Sequence, residues 1–239
     1  MQMTDQGLLA LVRHEGIVPG PYLDVKQVWT FGIGHTAAAG APDPATMPRG
    51  MPADLNAAIR EAFRVFQSDL ARYEADVLRA VKVPLERHEF DALVSFHYNT
   101  GGIAKAALTR HLNAGDRAAA AAAFMGWLKP VAIRPRREAE RDLFAKGHYP
   151  AGNIPIWSVD RNGRVDFSRP IRRLTEDEAL ALLRPASAPV PTQTNSPRLG
   201  GGGCWTNSKE RQHHELEPRA WADLPCLSGS LRSGDGRVS

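Results

Sequence analysis

The stretch HEGIVPGPYLDVKQVWTFGIGH, residues 14–35, decides how this chain is read. Upstream, Thr4-Asp5 is a helix start, because a hydroxyl accepts from the free amides of the first turn. Leu8, Leu11 and Val12 follow at helical spacing, and Gly16 predicts the stop directly after Glu15. Pro19, Gly20 and Pro21 predict a turn. From Tyr22 to His35 the pattern becomes β-rich and glycine-punctuated, with Lys26-Gln27 between two apolar runs, which predicts a small antiparallel sheet. The stretch thus runs from a helix end into a sheet, and it places Glu15, Asp24 and Thr30 on successive pieces of structure.

Working outward, residues 38–50 read as a Pro/Gly-rich loop. Leu55, Ile59, Phe63, Phe66, Leu70, Tyr73 and Val77 step by fours and threes and predict a long amphipathic helix between Pro52 and Pro84. A second helix holds Phe90, Leu93, Val94 and His97 and stops at Gly101-Gly102. Shorter helices are expected over 105–113, 117–127 and 136–146. Residues 154–167 read as a hairpin around Asn162-Gly163, and Thr175-Glu176-Asp177-Glu178 caps a last helix reaching Leu183. The expected fold class is α+β: a small N-terminal antiparallel sheet, a larger helical lobe and a cleft between them.

Of the 239 residues, 23% are charged and 43% hydrophobic, which excludes whole-chain disorder and collagen-like repetition. No apolar stretch approaches the ~20 residues of a membrane helix, and no basic and apolar leader opens the chain. The net charge of +4 is not the footprint of a dedicated nucleic-acid binder, so no nucleic-acid partner is expected. Cys204 and Cys226 cannot frame a chain of this length, and with His213 and His214 they lack metal-ligand spacing, so no metal and no cofactor is expected. Composition changes at Pro185. The last 55 residues hold 7 Gly, 7 Ser and 6 Pro against 7 Leu, Ile, Val or Phe, too few for a packed core. The expected division is a main domain over 1–149, an extension over 150–184 and a disordered tail over 185–239.

Two carboxylates and a hydroxyl suit hydrolysis of a glycosidic bond. One carboxyl protonates the leaving oxygen, and the other orients water or steadies the oxocarbenium-like charge. Spacing alone does not single out Glu15 and Asp24, since any chain offers many Glu–Asp pairs.

The next residues add specificity. An E-x8-D-x5-T spacing running into Gly32-Ile33-Gly34-His35 resembles the phage lysozymes of glycoside hydrolase family 24. Residues 90–101 resemble that family's central-helix segment, of the form aLvSFayNvG. Leu112-Asn113-Ala114-Gly115-Asp116 resembles its LNaGd turn, and Arg136-Arg137-Glu138-Ala139-Glu140 its RRxAE helix. The resemblance covers residues 4–147, with the motifs in family order.

It implies a lysozyme-like fold and a muramidase that cuts the β-1,4 bond between N-acetylmuramic acid and N-acetylglucosamine in peptidoglycan glycan strands, in the manner of an endolysin. Glu15 would be the general acid, while Asp24 and Thr30 would position the attacking water. Gly32, His35, Thr36, Tyr98, Asn99 and Arg136 would contact substrate; alternatively His35 and Tyr98 are structural, and Arg136 braces Glu15. The enzyme is expected to be a monomer held in the host cytoplasm until a holin-like membrane partner releases it to the wall. A lytic transglycosylase and a non-catalytic wall-binding module are the competing readings; the presence of both Asp24 and Thr30 argues against the first, and retention of all three polar residues against the second. Pro135 replaces an Asn common in the family and leaves the local helix start open.

Overall fold

The computed structural model describes residues 1–183. The tail at 185–239 and its Cys and His residues lie outside them.

Helix α1 (Asp5–Glu15) starts where the sequence places it, with the Thr4 hydroxyl accepting from the Gly7 amide at 3.0 Å. Thr4 also donates from its amide and hydroxyl to Asp91, which anchors the helix start to the protein centre. At the other end Gly16 takes φ +69 and returns its N–H to Val12. A left-handed turn at this point turns the chain abruptly into the sheet.

That sheet is antiparallel, in the order β1 (Val18–Leu23), β2 (Trp29–Gly32), β3 (His35–Thr36). Its one departure from expectation is informative. Pro19-Gly20-Pro21 is not a turn before the sheet but part of β1. Val18 pairs with Gly32 and Tyr22 with Thr30, so four steps on β1 oppose two on β2. Proline is tolerated at such a bulge, where no ladder donor is needed. The surplus residues are buried against neighbouring segments, with Gly20 against the Gly50 carbonyl and Val159.

The 26-residue helix α2 (Leu55–Ala80) is about 39 Å long at 1.5 Å per residue. It buries Ile59, Phe63, Phe66, Leu70, Tyr73 and Val77, the stripe read from the sequence. Asp54 caps it by accepting from Ala57. Helix α3 (Arg87–Thr100) is buried continuously from Glu89 to Asn99 and ends at Gly101 in the left-handed conformation. Against it pack α1, α2 and α6 (Arg134–Lys146), while α4 (Ala107–Asn113) packs on α5 (Arg117–Ala123), which in turn meets α6. Pro135 falls in the first turn of α6, where its missing N–H leaves no gap in the helix. Each buried Phe of this core contributes roughly 1.5–3 kcal/mol.

The chain then forms β4 (Ile154–Ile156), β5 (Ser158–Val159), β6 (Val165–Asp166), β7 (Arg172–Leu174) and α7 (Glu176–Leu183). The hairpin around Asn162-Gly163 is present but shorter than expected: only β5 and β6 pair. Ile154–Ile156 pairs with Arg172–Leu174 instead. Thr175 and Glu178 exchange bonds as a capping box at the start of α7. Val18 and Tyr22 of β1 share a small apolar cluster with Trp157 and Val159, apart from the main core.

Candidate active site

Glu15 is the last residue of α1 and is 7% exposed. Its Oε1 accepts from Arg136 Nη1 at 2.8 Å. Arg136 also donates from Nε to Glu140 Oε1 at 2.9 Å and from Nη2 to the Ser95 carbonyl at 3.2 Å. The Ser95 hydroxyl donates to Glu140 as well, and the other Glu140 oxygen accepts from Arg137. Burial works against the charge on Arg136, but Glu15 and Glu140 outweigh it and raise its pKa above the ordinary guanidinium value. Burial likewise pushes Glu140 up, yet Arg137 and Arg136 carry it below the usual carboxyl range. The result is a buried ion-paired cluster in which both Glu140 oxygens are engaged, while Nε of Arg137 has no hydrogen-bond partner among the described residues.

His14 stands beside this cluster. Burial and the neighbouring Arg136 charge hold its pKa down at about 3, so its ring is neutral at neutral pH.

Asp24 opens the β1–β2 turn and is 8% exposed. Its Oδ1 accepts from the amides of Lys26 and Val28, at 2.9 and 2.8 Å. Val28 returns its carbonyl to the Asp24 amide at 3.0 Å and to the Thr30 hydroxyl at 3.1 Å. One residue therefore pins both polar groups. Thr30 uses its proton on Val28 and keeps lone pairs that can accept from a water.

The bulge in β1 sets the scale of the site. Between Gly32 and Thr30 lie two strand steps, roughly 7 Å. The segments leading from Glu15 and towards Asp24 attach at these two positions, so the bulge draws them closer than a regular six-residue strand would.

The expected substrate contacts divide by face. Thr30 and Thr36 are register partners and so share a face of the sheet, in line with Tyr22. Thr36 is half-buried and does not cap the turn that follows it. His35 pairs with Phe31 on the opposite face. It is 1% exposed, with Nδ1 on Asp69 at 2.9 Å and Nε2 on the Pro42 carbonyl at 2.7 Å. Both ring nitrogens are thus engaged within the protein. Gly32 holds φ +64 against α2, where a Cβ would meet the Ala62 Cβ at 2.9 Å.

Tyr98 and Asn99 do not line an open surface. Tyr98 packs on Phe66 and Tyr73 and donates its hydroxyl to the Ile33 carbonyl, which fixes the β2–β3 turn. Asn99 accepts from Arg137 and is 3% exposed. The reason is the burial of α3, which is unbroken from Glu89 through Asn99. Arg136 is likewise 5% exposed, and its donors serve Glu15, Glu140 and Ser95.

Sequence reasoning missed Glu140, Arg137 and Ser95 as a unit. A signal was present: Arg136 and Arg137 stand four and three residues before Glu140, on neighbouring helix positions. Val28, an exposed valine between two apolar runs, carried no signal because it acts through its backbone.

The sequence and the fold match known proteins. The phage lysozyme family profile matches residues 12–140. The endolysin of Salmonella phage P22 is 35% identical over 150 residues, covering 60% of this chain and 98% of that protein. The endolysin of Acyrthosiphon pisum secondary endosymbiont phage 1 is 32% identical over 156 residues, with the same coverage. Among solved structures, the endolysin from Escherichia coli O157:H7 phage FAHEc1 superposes with a TM-score of 0.53 at 28% identity, covering 63% of this chain and 97% of that one.

The fold and the family match define a lysozyme-type glycoside hydrolase. The chain belongs to the phage lysozyme family. The expected α+β lysozyme fold and the expected activity, peptidoglycan hydrolysis of the endolysin type, both hold.

Proposed function

We propose that Glu15 is the general acid of this lysozyme and that Asp24 with Thr30 holds the attacking water. The bond cut is the β-1,4 link from N-acetylmuramic acid to N-acetylglucosamine. Glu15 protonates the glycosidic oxygen as the bond breaks. Positive charge develops at C1 of the muramic acid and on its ring oxygen, where the Asp24 carboxylate stabilises it. Water held by Asp24 and the Thr30 hydroxyl adds from the opposite face and gives up its proton to Asp24. The anomeric configuration is thereby inverted.

The observation that carries this reading is how the groups are held. Arg136 takes only Oε1 of Glu15, so the transferable proton belongs on Oε2. Val28 fixes Asp24 and Thr30 without consuming the second Asp24 oxygen. Low exposure at all three positions strengthens each electrostatic interaction by excluding bulk water.

The test is mass spectrometry of products from purified peptidoglycan, with the anomer followed by proton NMR. Fragments ending in reducing N-acetylmuramic acid, released first as the α-anomer, are expected. Products one water lighter would instead mean a transglycosylase and overturn the roles of Asp24 and Thr30. Absence of any product from folded protein would favour a binding module. Glu15→Gln keeps the shape and removes the proton, and should lower kcat by roughly 10²–10⁴.

Monomeric enzyme held in the host cytoplasm until a holin-like partner opens the membrane completes the reading. Among the described residues no helix is long and apolar enough to cross a membrane, and the net charge of +4 favours approach to an anionic wall. Producing cells should lyse only when a permeabilising agent is added; lysis without it would overturn the holin requirement. Sedimentation should give the mass of one chain.

A further inference from the structure

The family match ends at residue 140, yet ordered chain continues to Leu183 and returns to the catalytic hairpin. It meets that hairpin beside each of the three residues assigned to chemistry. Next to Glu15, Ile17 donates to the Pro155 carbonyl at 3.1 Å and accepts from the Trp157 amide at 2.9 Å. The Trp157 indole closes over Gly16 so tightly that a Cβ there would lie 2.9 Å from its nitrogen. Next to Asp24, the Leu23 amide donates to the Gly163 carbonyl at 2.8 Å. Next to Thr30, the Trp29 ring abuts Gly163, where a Cβ would come within 2.7 Å of it. Val159 and Trp157 also back Val18 and Tyr22 of β1.

The far side of this segment is anchored to the helices. Arg13 reaches the carbonyls of Pro150 and Gly152 and the carboxylate of Glu176. Arg172 donates to Asn56, and Gln67 to the Leu183 carbonyl, which ties the segment to α2.

We propose that residues 150–183 form a strap that sets the position of Glu15 relative to the Asp24–Thr30 turn, with Trp157 and Gly163 as positioning residues. A sheet whose outer strand is two residues long is weak by itself. The strap supplies the missing support at both ends of β1. Trp157 acts by shape, because its buried indole nitrogen has no hydrogen-bond partner among the described residues. A displacement of ~1 Å at such a site can cost ~10²-fold in rate.

This inference rests on the roles proposed for Glu15, Asp24 and Thr30. Its test uses the full chain, measuring kcat, KM and melting temperature on soluble peptidoglycan strands. Trp157→Ala should lower kcat about tenfold or more with KM within about twofold, while Trp157→Phe stays within about twofold in both. Leu112→Ala, buried in α4 away from both strap and hairpin, should lower the melting temperature and leave kcat unchanged at temperatures where it is folded. If Trp157→Ala does not fold, Gly163→Ala takes its place, with the same kcat loss expected.

A folded Trp157→Ala or Gly163→Ala with normal kcat would overturn the proposal, as would an equal kcat loss in Leu112→Ala. Glu15→Gln, run in parallel, separates the two ideas. Activity retained there overturns the acid assignment. Activity lost there, with normal kcat in Trp157→Ala, overturns the strap alone.

Discussion

Arg136 donates to Oε1 of Glu15 across 2.8 Å, and the two side chains are 5% and 1% exposed. The residues lie 121 positions apart, so the orientation of the acid is set by a helix near the other end of the fold. Arg136→Met should leave Glu15 and Glu140 buried with one cation fewer and destabilise the protein by about 3–5 kcal/mol in urea unfolding. Arg136→Lys keeps the charge but cannot serve Glu15, Glu140 and Ser95 with one ammonium. It should retain most of the stability and lose kcat.

Asp24 is both a turn former and the proposed water-binding carboxylate. Asp24→Asn separates these roles, because the amide oxygen still accepts from Lys26 and Val28. Melting temperature should barely change, while kcat falls by roughly 10² or more. A large drop in melting temperature with normal kcat would show that the turn alone needs this residue.

Gly32 has φ +64 and faces Ala62. Gly32→Ala adds a clash of the kind that costs about 1–3 kcal/mol and a left-handed alanine costing about 1–2 kcal/mol more. Thermal unfolding should report the sum.

Stability should fall in mild acid. His14 has an ordinary value of 6.5 and is held at about 3 in the folded protein. Below 6.5 the unfolded chain takes up a proton that the folded chain refuses. The contribution is therefore complete above 6.5 and is lost progressively as pH falls toward 3. Glu140, also depressed, acts in the same direction: its contribution is present above the ordinary value of 4.5 and fades as pH falls through its lower folded pKa. Melting temperature measured from about pH 8 down to about pH 4 should decline less steeply in His14→Gln than in the parent. Equal slopes would remove His14 from the account.

Much of this fold was legible because its rules are local. The stripe from Ile59 to Val77 follows from helical period, and the ends of α1 and α3 follow from Gly16 and Gly101. The Asn162-Gly163 turn needed only its dipeptide. Where expectation and structure part, a distant partner intervenes. Pro19-Gly20-Pro21 has turn chemistry, but pairing of Val18 with Gly32 makes it a bulge. Ile154–Ile156 has strand chemistry, but nothing near it in sequence names Arg172–Leu174 as its mate.

The candidate site divides in the same way. The sequence by itself pointed to the residues proposed to carry the chemistry, since Glu15, Asp24 and Thr30 stand in a motif that resembles the family's, and a helix end and one hairpin place them. It also determined that Arg136 and Glu140 would be neighbours, because helix geometry makes them so. Only the tertiary structure decided that Arg136 turns to Glu15, that Tyr98 and Asn99 face inward, that His35 lies on the face opposite Thr30, and that Trp157 and Gly163 close against the hairpin. Those outcomes depend on which surfaces of separate elements meet. Packing and burial select them from many arrangements that local propensity leaves equally open.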